Sequence, residues 1–422
     1  MKILSLVPFL FAFHLAATAQ EPDVVRINAR KVVKTLSSPA FQGRGYVANG
    51  DAIAADWIAG QFGRMGLQPV KADLFQPFQF NVNSFPDSLK VAIDGVRLQP
   101  GIDFIVDPAS GKAEGRYTLV HLTTGDLLDP ARRAMTMGVL NGQAACLHFP
   151  MTTNADSLKQ FAEIERDLMH YCPVVRPNRG KLTWGVAQEA LPYPLIEVAS
   201  TTLTDSSETI DLRIQNTLIT RHPARNVLGK VKGKSKKWIV IGAHYDHLGQ
   251  MGPDALFPGA NDNASGVAMM LALAEWYAKH KPKYNILFAA FAGEEAGLQG
   301  SEWCVVDRPI DWSKVKLMLN LDILGTGDDG ITVVNATAQP SAFDQLVSIN
   351  NSKQLLPQVK SRGPACNSDH CPFVKRNVPA LFIYTMGGIS AYHDVLDKDE
   401  TLPLTKFPEL YALLKEFVST LK

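Results

Sequence analysis

The chain has 422 residues, a formal net charge of +1 and 46% hydrophobic residues. It is longer than a usual domain of about 150 residues, so one large domain with an insertion, or two domains, is expected. A charge this close to zero, without a dense basic face, argues against a nucleic acid as the main partner.

Residues 1–19 have the pattern of a secretory signal peptide. Lys2 is followed by an apolar run from Ile3 to Ala16 and then by the small residues Ala17-Thr18-Ala19, which are typical of a cleavage site. We therefore expect export, to the periplasm or to the outside of the cell. Later segments fall short of the ~20 apolar residues that a spanning helix needs, so no stable membrane insertion is expected.

The rest of the chain contains regions with two different sequence patterns. Residues 50–67 carry apolar side chains at helical spacing and end at Gly66, a typical C-cap, so they predict an amphipathic helix. Residues 75–219 consist of short alternating stretches with Gly and Pro between them, which favours a β-rich insertion. From Asn226 onward, buried strands, loops and apolar helices alternate. This order predicts an α/β fold with a mixed, mostly parallel central sheet and helices on both faces.

The predicted domains follow from these sequence patterns. They are a signal peptide (1–19), the N-terminal part of a catalytic domain (20–95), a β-rich insert (96–210) and the remainder of the catalytic domain (211–422).

Five metal-capable side chains come at or soon after the ends of apolar runs in the C-terminal half: His244, Asp262, Glu295, Asp322 and His393. Ligands bind beyond the carboxyl ends of the strands in open α/β sheets, so these side chains are expected to meet there. Two histidines with three carboxylates suit Zn²⁺. Two zinc ions would bring +4 against −3, and a bridging hydroxide would make the cluster neutral, so the charge balance favours two zinc ions per chain.

Asp246 stands two residues after His244, so on extended backbone the two side chains share a face. A carboxylate in that position can accept the second ring N–H of a metal-bound histidine. By the same alternation, the side chain of His247 is expected to point to the other face. Asp262 alone could equally be a helix N-cap, since it lies where a Gly-rich loop opens a helix.

Glu294 and Glu295 form the sharpest local signal. Two adjacent carboxylates at the end of an apolar strand would repel and desolvate each other unless a cation were present. One can bind metal while the other acts as general base on the attacking water. Spacing alone does not say which residue has which role.

Other catalytic patterns are missing from the sequence. It contains neither H-E-x-x-H, typical of single-zinc proteases, nor the G-x-S-x-G nucleophile elbow. The five cysteines are an odd number for an exported protein, so at least one should be free. Cys366 and Cys371 flank a short loop that a disulfide would close; a cysteine-based metal site is less favoured, because no C-x-x-C spacing occurs.

With these residues in view, the sequence resembles the secreted co-catalytic di-zinc aminopeptidases, the family of bacterial leucyl aminopeptidases and aminopeptidase Y, whose fold is the zinc exopeptidase fold. The matching strings are GAHYDHLG (242–249), GANDNASG (259–266), GEEAGLQGS (293–301), NLD (320–322), SDH (368–370), YH (392–393) and LSSPAFQGRG (36–45). Members often carry a protease-associated domain before the metal loops, which makes residues 96–210 a candidate for that domain.

The resemblance implies that His244 and Asp322 complete one zinc site, that Glu295 and His393 complete the other, and that Asp262 bridges them. It also implies that Glu294 is the general base. Some relatives place a tyrosine near the active-site loop to stabilise the oxyanion, and this loop offers His370 as the candidate instead.

The implied function is a zinc aminopeptidase acting on peptides. Two alternatives share the fold: a glutaminyl-cyclase-like acyltransferase, which uses one zinc, and a zinc carboxypeptidase, which needs cationic side chains for a C-terminal carboxylate. A catalytically silent binding module would have lost metal ligands, and all five are retained. No pattern in the sequence indicates an oligomeric state.

Overall fold

A computed structural model describes residues 21–421, and the predicted signal peptide lies outside them. The α-helices are α1 (Glu21–Leu36), α2 (Gly50–Met65), α3 (Thr124–Leu127), α4 (Pro130–Val139), α5 (Ala155–Leu168), α6 (Gly266–Lys279), α7 (Gln299–Asp307), α8 (Pro340–Lys353), α9 (His370–Lys375) and α10 (Phe407–Thr420). The strands are β1 (Gln68–Pro69), β2 (Phe75–Ser84), β3 (Lys90–Ile93), β4 (Val96–Arg97), β5 (Phe104–Val106), β6 (Ala113–Thr123), β7 (Ala144–His148), β8 (Val174–Asn178), β9 (Leu195–Ala199), β10 (Thr209–Ile214), β11 (Thr217–Val231), β12 (Trp238–His244), β13 (Gly249–Gln250), β14 (Leu256–Phe257), β15 (Asn285–Phe291), β16 (Val315–Leu321), β17 (Gly330–Val334), β18 (Val359–Ser361) and β19 (Ala380–Met386).

The larger sheet has nine strands in the order β1-β11-β15-β12-β16-β19-β17-β18, with β2 also paired to β11. Its centre, β15-β12-β16-β19, is parallel, so these four strands end at the same edge. Toward the sides, β11 and β17 join the parallel strands in antiparallel fashion. The sheet is therefore mixed, with its parallel part in the middle.

Helices cover both faces of this sheet. Along β12, Ile239 and Ile241 belong to a core shared with α1, α2, α6 and α10, whereas Val240 belongs to a core shared with α7 and α9. Alternate residues of a strand point to opposite faces, so both sides are buried and the strand sequence is almost uninterrupted in its apolar character. The predicted α/β fold class is confirmed.

The helix predicted at residues 50–67 is α2. Its C-cap is Gly66, whose φ of +77° lies in the left-handed region that glycine adopts without strain. Helix α1 was not predicted, and it packs against α6 and α10 through residues such as Val33 and Leu36. Among residues 21–421, no helix is long and apolar enough to cross a membrane.

The smaller, eight-stranded sheet has the order β4-β3-β10-β6-β7-β8-β9-β5. Its strands run from Lys90 to Ile214, so the sheet extends beyond the predicted limits of 96 and 210 at both ends. It also carries helices: Leu140, which directly follows α4, and Leu168 of α5 pack on one face of β6 and β7. The short alternating stretches had indicated the strands but not these helices.

Candidate metal centre

The parallel strands bring the predicted ligands to one edge of the larger sheet. His244 is the last residue of β12 and Asp322 directly follows β16, its parallel neighbour. Glu294 and Glu295 lie in the loop after β15, the neighbour on the other side. His393 lies in the loop after β19. The meeting of these loops follows from the parallel order of the strands, as the sequence predicted.

Asp262 stands between two histidines. Its Oδ1 lies 3.3 Å from Nε2 of His244, and its Oδ2 lies 3.0 Å from Nε2 of His393. Asp322 Oδ1 is 3.2 Å from the same atom of His244, and Glu295 Oε2 is 3.3 Å from the same atom of His393. Each oxygen of Asp262 therefore faces a separate histidine–carboxylate pair, which is the arrangement of a carboxylate that bridges two cations.

His247 also reaches this cluster, so the prediction that it points away is wrong. Its Nδ1 lies 2.8 Å from Glu295 Oε1, and its side chain is fully buried. With Asp262 and Glu295 it forms a second group whose ligand atoms lie within 4.8 Å of one another. The physical reason is that β12 ends at His244, so the alternation of an extended strand does not continue to residue 247.

The carboxylate of Asp246 has different partners from those predicted. It accepts hydrogen bonds from the backbone N–H groups of Glu294 (3.1 Å) and Glu295 (3.2 Å), and from the hydroxyl of Tyr46 (2.8 Å). The Nδ1 of His244 lies 3.2 Å from the backbone oxygen of Asp246 but 3.9 Å from its carboxylate. Asp246 therefore holds the glutamate loop with its side chain and the histidine with its backbone.

The electrostatics of the cluster favour a bound cation. Burial alone would lower the pKa of His393, but the charges of Glu295 and Asp262 overcome it and raise this pKa to about 9. Burial would raise the pKa of Asp262, but hydrogen bonds from His244 and His393 hold it well below its usual value. Carboxylates thus draw positive charge onto both histidines, and a metal ion would supply that charge without protons.

Glu294 differs from its neighbour in its surroundings. It keeps part of its surface open to solvent, yet desolvation by the protein raises its pKa well above the ordinary value, with further contributions from Asp369 and Glu295. Its ligand atoms, with those of His244 and Glu295, lie within 4.8 Å of one another. A carboxyl group in this setting is suited to accept and return a proton.

Arg44 and Asp397 fix the loop that carries Asp262. The fully buried guanidinium of Arg44 donates to the backbone carbonyls of Tyr245, Gly259 and Asp262, and also to those of Leu36 and Pro258.

From the other side, Asp397 accepts the N–H groups of Asn261 (2.8 Å) and Asp262 (2.9 Å). A side chain at Gly259, where φ is +60°, would place its Cβ 2.4 Å from His247 and 2.6 Å from Arg44. The sequence marked the segment around Arg44 through the resemblance alone.

A segment between β8 and β9 holds the loop of His393. The ring Nδ1 of His393 donates to the carbonyl of Trp184 (2.9 Å), and the Trp184 N–H donates to the carbonyl of His393 (2.9 Å). Lys181 donates to the carbonyls of Ser390 and Tyr392, both at 2.8 Å. The carbonyl of Trp184 favours the tautomer that leaves Nε2 of His393 free to face Asp262, and Lys181 holds the backbone of the same loop.

His370 lies outside the ligand cluster. It is 1% exposed, and its Nε2 donates to the carbonyl of Ala365 at 2.7 Å. Tyr392, in contrast, is 45% exposed and its ring stacks on His393 with the ring centroids 4.0 Å apart. Burial, followed by the charges of Asp262 and Glu295, raises the pKa of the Tyr392 hydroxyl, so it stays a proton donor.

Cys366 and Cys371 form a disulfide. The loop that it closes carries Ser368, whose hydroxyl donates to Asp322 Oδ2 at 2.9 Å and accepts from Asn320 at 2.8 Å. The other three cysteines, Cys146, Cys172 and Cys304, are buried and free.

The donor set consists of imidazole nitrogens and carboxylate oxygens that converge from separate loops, and it fits zinc. A site of this kind at the carboxyl edge of an α/β sheet is typical of metal-dependent hydrolases. Residues 226–418 match the model of peptidase family M28.

Solved structures share the fold over nearly the whole chain. A peptidase M28 precursor from Shewanella amazonensis SB2B gives a TM-score of 0.70 at 18% identity, covering 94% of this chain and 96% of that one. A zinc aminopeptidase from Bacillus subtilis gives a TM-score of 0.68 at 20% identity, covering 93% and 95%. These similarities include the smaller sheet.

Curated relatives match a limited part of the chain. A probable leucine aminopeptidase of Arthroderma otae is 34% identical over 161 residues, which is 36% of this chain and 44% of the relative. A probable zinc metalloprotease of Pyrenophora teres f. teres is 41% identical over 111 residues, which is 25% of this chain and 23% of the relative. The chain thus spans less than half the length of these relatives.

Proposed function

We propose that this protein is an exported zinc aminopeptidase that removes N-terminal residues from peptides and binds two zinc ions per chain. The observation that carries the proposal is Asp262, whose two oxygens face two separate histidine–carboxylate pairs. The names of the similar proteins, which include aminopeptidases, agree with it.

In this proposal His244 and Asp322 hold one zinc, Glu295 and His393 hold the other, and Asp262 lies between them. Zinc, when bound, polarises a carbonyl and lowers the pKa of water toward ~7. His247 contacts Glu295 at 2.8 Å and so orients that carboxylate.

Glu294 is the proposed general base. Asp246 fixes the backbone of residue 294, which directs the Glu294 carboxylate toward the attacking water. Glu294 takes a proton from the water and then gives it to the nitrogen of the leaving amine, so one group serves both steps. Its raised pKa suits both roles, since a strongly acidic carboxylate would accept the proton poorly.

Tyr392 takes the role that the sequence had suggested for His370. Tyr392 is 45% exposed, its ring rests on His393 and its hydroxyl stays protonated, so it can donate a hydrogen bond to the developing oxyanion. The carboxylates around the centre can receive the free α-amine of the substrate, which would restrict cleavage to the first residue.

Export is part of the proposal. It is supported by the pattern of residues 1–19 and by the Cys366–Cys371 disulfide, which suits an oxidising compartment such as the periplasm or the extracellular space. We also propose that the smaller sheet, predicted as the insert 96–210, is a separate unit that supports the loop of His393 through Trp184.

Paired substrates test this function. The zinc-loaded protein is assayed on leucine 4-nitroanilide, on its N-acetylated form, on an N-terminal glutaminyl peptide and on a peptide with a free C-terminus but a blocked N-terminus. We expect release of nitroaniline from the free amine alone. Cyclisation of the glutaminyl peptide, or trimming from the C-terminus, would replace the proposal by one of the two alternatives.

A further inference from the structure

A second group of metal-capable side chains lies in the smaller sheet. His121 is on β6, and Cys146 and His148 are on β7. The strands are parallel, and His121 is paired in register with Cys146. Since Cys146 and His148 are two residues apart on one strand, all three side chains share one face of the sheet, opposite the face that α4 and α5 cover.

The three ligand atoms lie within 4.8 Å of one another. His121 Nδ1 is 2.7 Å from His148 Nε2, and Cys146 Sγ is 3.5 Å from the same nitrogen of His148. Cys146 is fully buried, whereas the side chain of His148 is 24% exposed. The group therefore has a buried thiol at its base and an opening to solvent at one histidine.

The hydrogen bonds that the two histidines make away from the group favour tautomers in which the lone pairs of His121 Nδ1 and His148 Nε2 face each other. Nε2 of His121 lies 2.7 Å from the carbonyl of Ser207, which can only accept a hydrogen bond. Nε2 therefore carries the hydrogen, and Nδ1 has no hydrogen and acts as an acceptor. The second nitrogen of His148 lies 3.3 Å from the carboxylate of Asp205, which favours a hydrogen there as well. In that state two acceptors face each other across 2.7 Å, and a cation between them, a proton or a metal ion, satisfies both.

We propose that His121, Cys146 and His148 bind a zinc ion, in addition to the candidate metal centre of the larger sheet. Zinc bonds of about 2.0–2.1 Å to nitrogen and 2.3 Å to sulfur place tetrahedral ligands about 3.3 Å (N to N) and 3.5 Å (N to S) apart. The observed sulfur–nitrogen distance of 3.5 Å already fits. The two nitrogens must separate by about 0.6 Å, which the partly exposed ring of His148 can accommodate.

The ion would have a structural role. It would join β6 to β7, and through Ser207 and Asp205 it would fasten the loop before β10 to both strands. Three protein ligands leave a fourth position, which water or the exposed Asp205 can fill. The pair formed by each histidine and its outer acceptor is the usual device that orients metal-bound imidazoles.

Cobalt substitution tests this site independently of the proposed function. The mature protein, freed of metal by chelation, is loaded anaerobically with Co²⁺, and the near-ultraviolet thiolate-to-cobalt absorption band is recorded with the number of ions bound per chain. The candidate centre of the larger sheet supplies nitrogen and oxygen ligands, so its occupancy does not produce this band. Cys146→Ala and His148→Gln remove ligands; Cys172→Ala and His170→Gln are matched controls in the same sheet region.

We expect the band in the wild type and in both controls, its loss in both ligand variants, and one bound ion fewer per chain in each. Zn²⁺ in excess over the three proposed sites should bleach the band, because zinc displaces cobalt from a cysteine–histidine site. His148→Gln keeps the buried core intact, so it serves if Cys146→Ala does not fold. A wild type without the band, or a band that survives in His148→Gln and vanishes in Cys172→Ala, would overturn the site.

Discussion

Glu294 and Glu295 are adjacent in the chain, but the structure gives their carboxylates different surroundings. Glu295 lies against His247 and His393 with a side chain that is 5% exposed, whereas Glu294 lies near His244 and its pKa is raised well above the ordinary value, chiefly by burial. Glu295 thus contacts two histidines of the cluster, whereas Glu294 is a carboxyl group suited to hold a proton. The sequence predicts that one glutamate binds metal and that the other acts as general base, and the contacts support the assignment of these two roles.

Glu294→Gln should separate catalysis from metal binding. Glutamine keeps the size of the side chain but cannot take a proton, so turnover of leucine 4-nitroanilide should fall by ~10²–10⁴. Bound zinc should remain at the wild-type level. Glu302→Gln, at an exposed position on α7, is the control and should keep wild-type turnover. Loss of zinc along with turnover in Glu294→Gln would instead make this residue a ligand.

At the scale of single elements, loops around the site are held by side chains that come from distant parts of the chain. Arg44 lies in the segment between α1 and α2, yet it binds carbonyls of the loop that carries Asp262. Burial lowers its pKa to about 10, so it remains charged at neutral pH. The five N–H donors of the guanidinium reach five backbone carbonyls, whereas an ammonium group has only three donors.

Arg44→Lys should therefore be destabilising. Loss of one or two charged hydrogen bonds at a buried position predicts a decrease in unfolding free energy of about 2–4 kcal/mol. Zinc affinity should fall as well, because the Asp262 loop is less well fixed. Urea unfolding and zinc titration measure the two effects, with Arg64→Lys on the exposed side of α2 as the control. Wild-type values for both would show that Arg44 does not support the loop.

Helix α5 carries a glutamate that should make the stability of the smaller sheet depend on pH. Burial raises the pKa of Glu165 to about 7, although Arg176 works against the shift. The folded protein therefore binds the proton more tightly than the unfolded chain, so this contribution to stability is present below pH ~4.5 and is lost as the pH rises to about 7.

Glu165→Gln removes that titration. Relative to wild type, the variant should gain stability between pH 4.5 and pH 8, by an amount on the order of 1–3 kcal/mol. Thermal unfolding at the two pH values measures the difference. Glu163→Gln, on the exposed side of the same helix, should show the same difference from wild type at both pH values. A constant offset for Glu165→Gln would contradict the raised pKa.

At the scale of the whole molecule, the smaller sheet contributes to the metal centre in the larger one. The segment with Lys181 and Trp184 holds the backbone and the ring of the loop that carries His393. A ligand that depends on contacts from another sheet is positioned only when both sheets are folded and in place.

Lys181→Met should weaken that support. The variant keeps the apolar stem but loses the bonds to the carbonyls of Ser390 and Tyr392, so zinc affinity should fall by roughly tenfold, as for other losses of outer contacts. Fluorescent chelator competition gives the affinity. Lys159→Met, at an exposed position on α5, should leave it unchanged. Equal affinities in the two variants would mean that the segment does not position His393.

Sequence patterns predicted most of the larger sheet and the meeting of the candidate ligands at its edge, because apolar strands of a parallel sheet end together and leave their polar residues at one place. The patterns could not predict the orientation of the His247 side chain, because β12 ends at His244 and the alternation of a strand does not extend to residue 247. They also missed Arg44 and Trp184, whose partners lie far away along the chain. For Asp246, sequence proximity suggested the wrong partner, because the glutamate loop offers its N–H groups at shorter range.

Anomalous diffraction at the zinc edge, from crystals of the zinc-loaded protein, tests the central claim most directly. We expect two peaks about 3.5–4 Å apart, one on each side of the Asp262 carboxylate, the first beside His244 and the second beside His393. A single peak at this centre, or peaks that do not share Asp262, would contradict the proposed pair of ions.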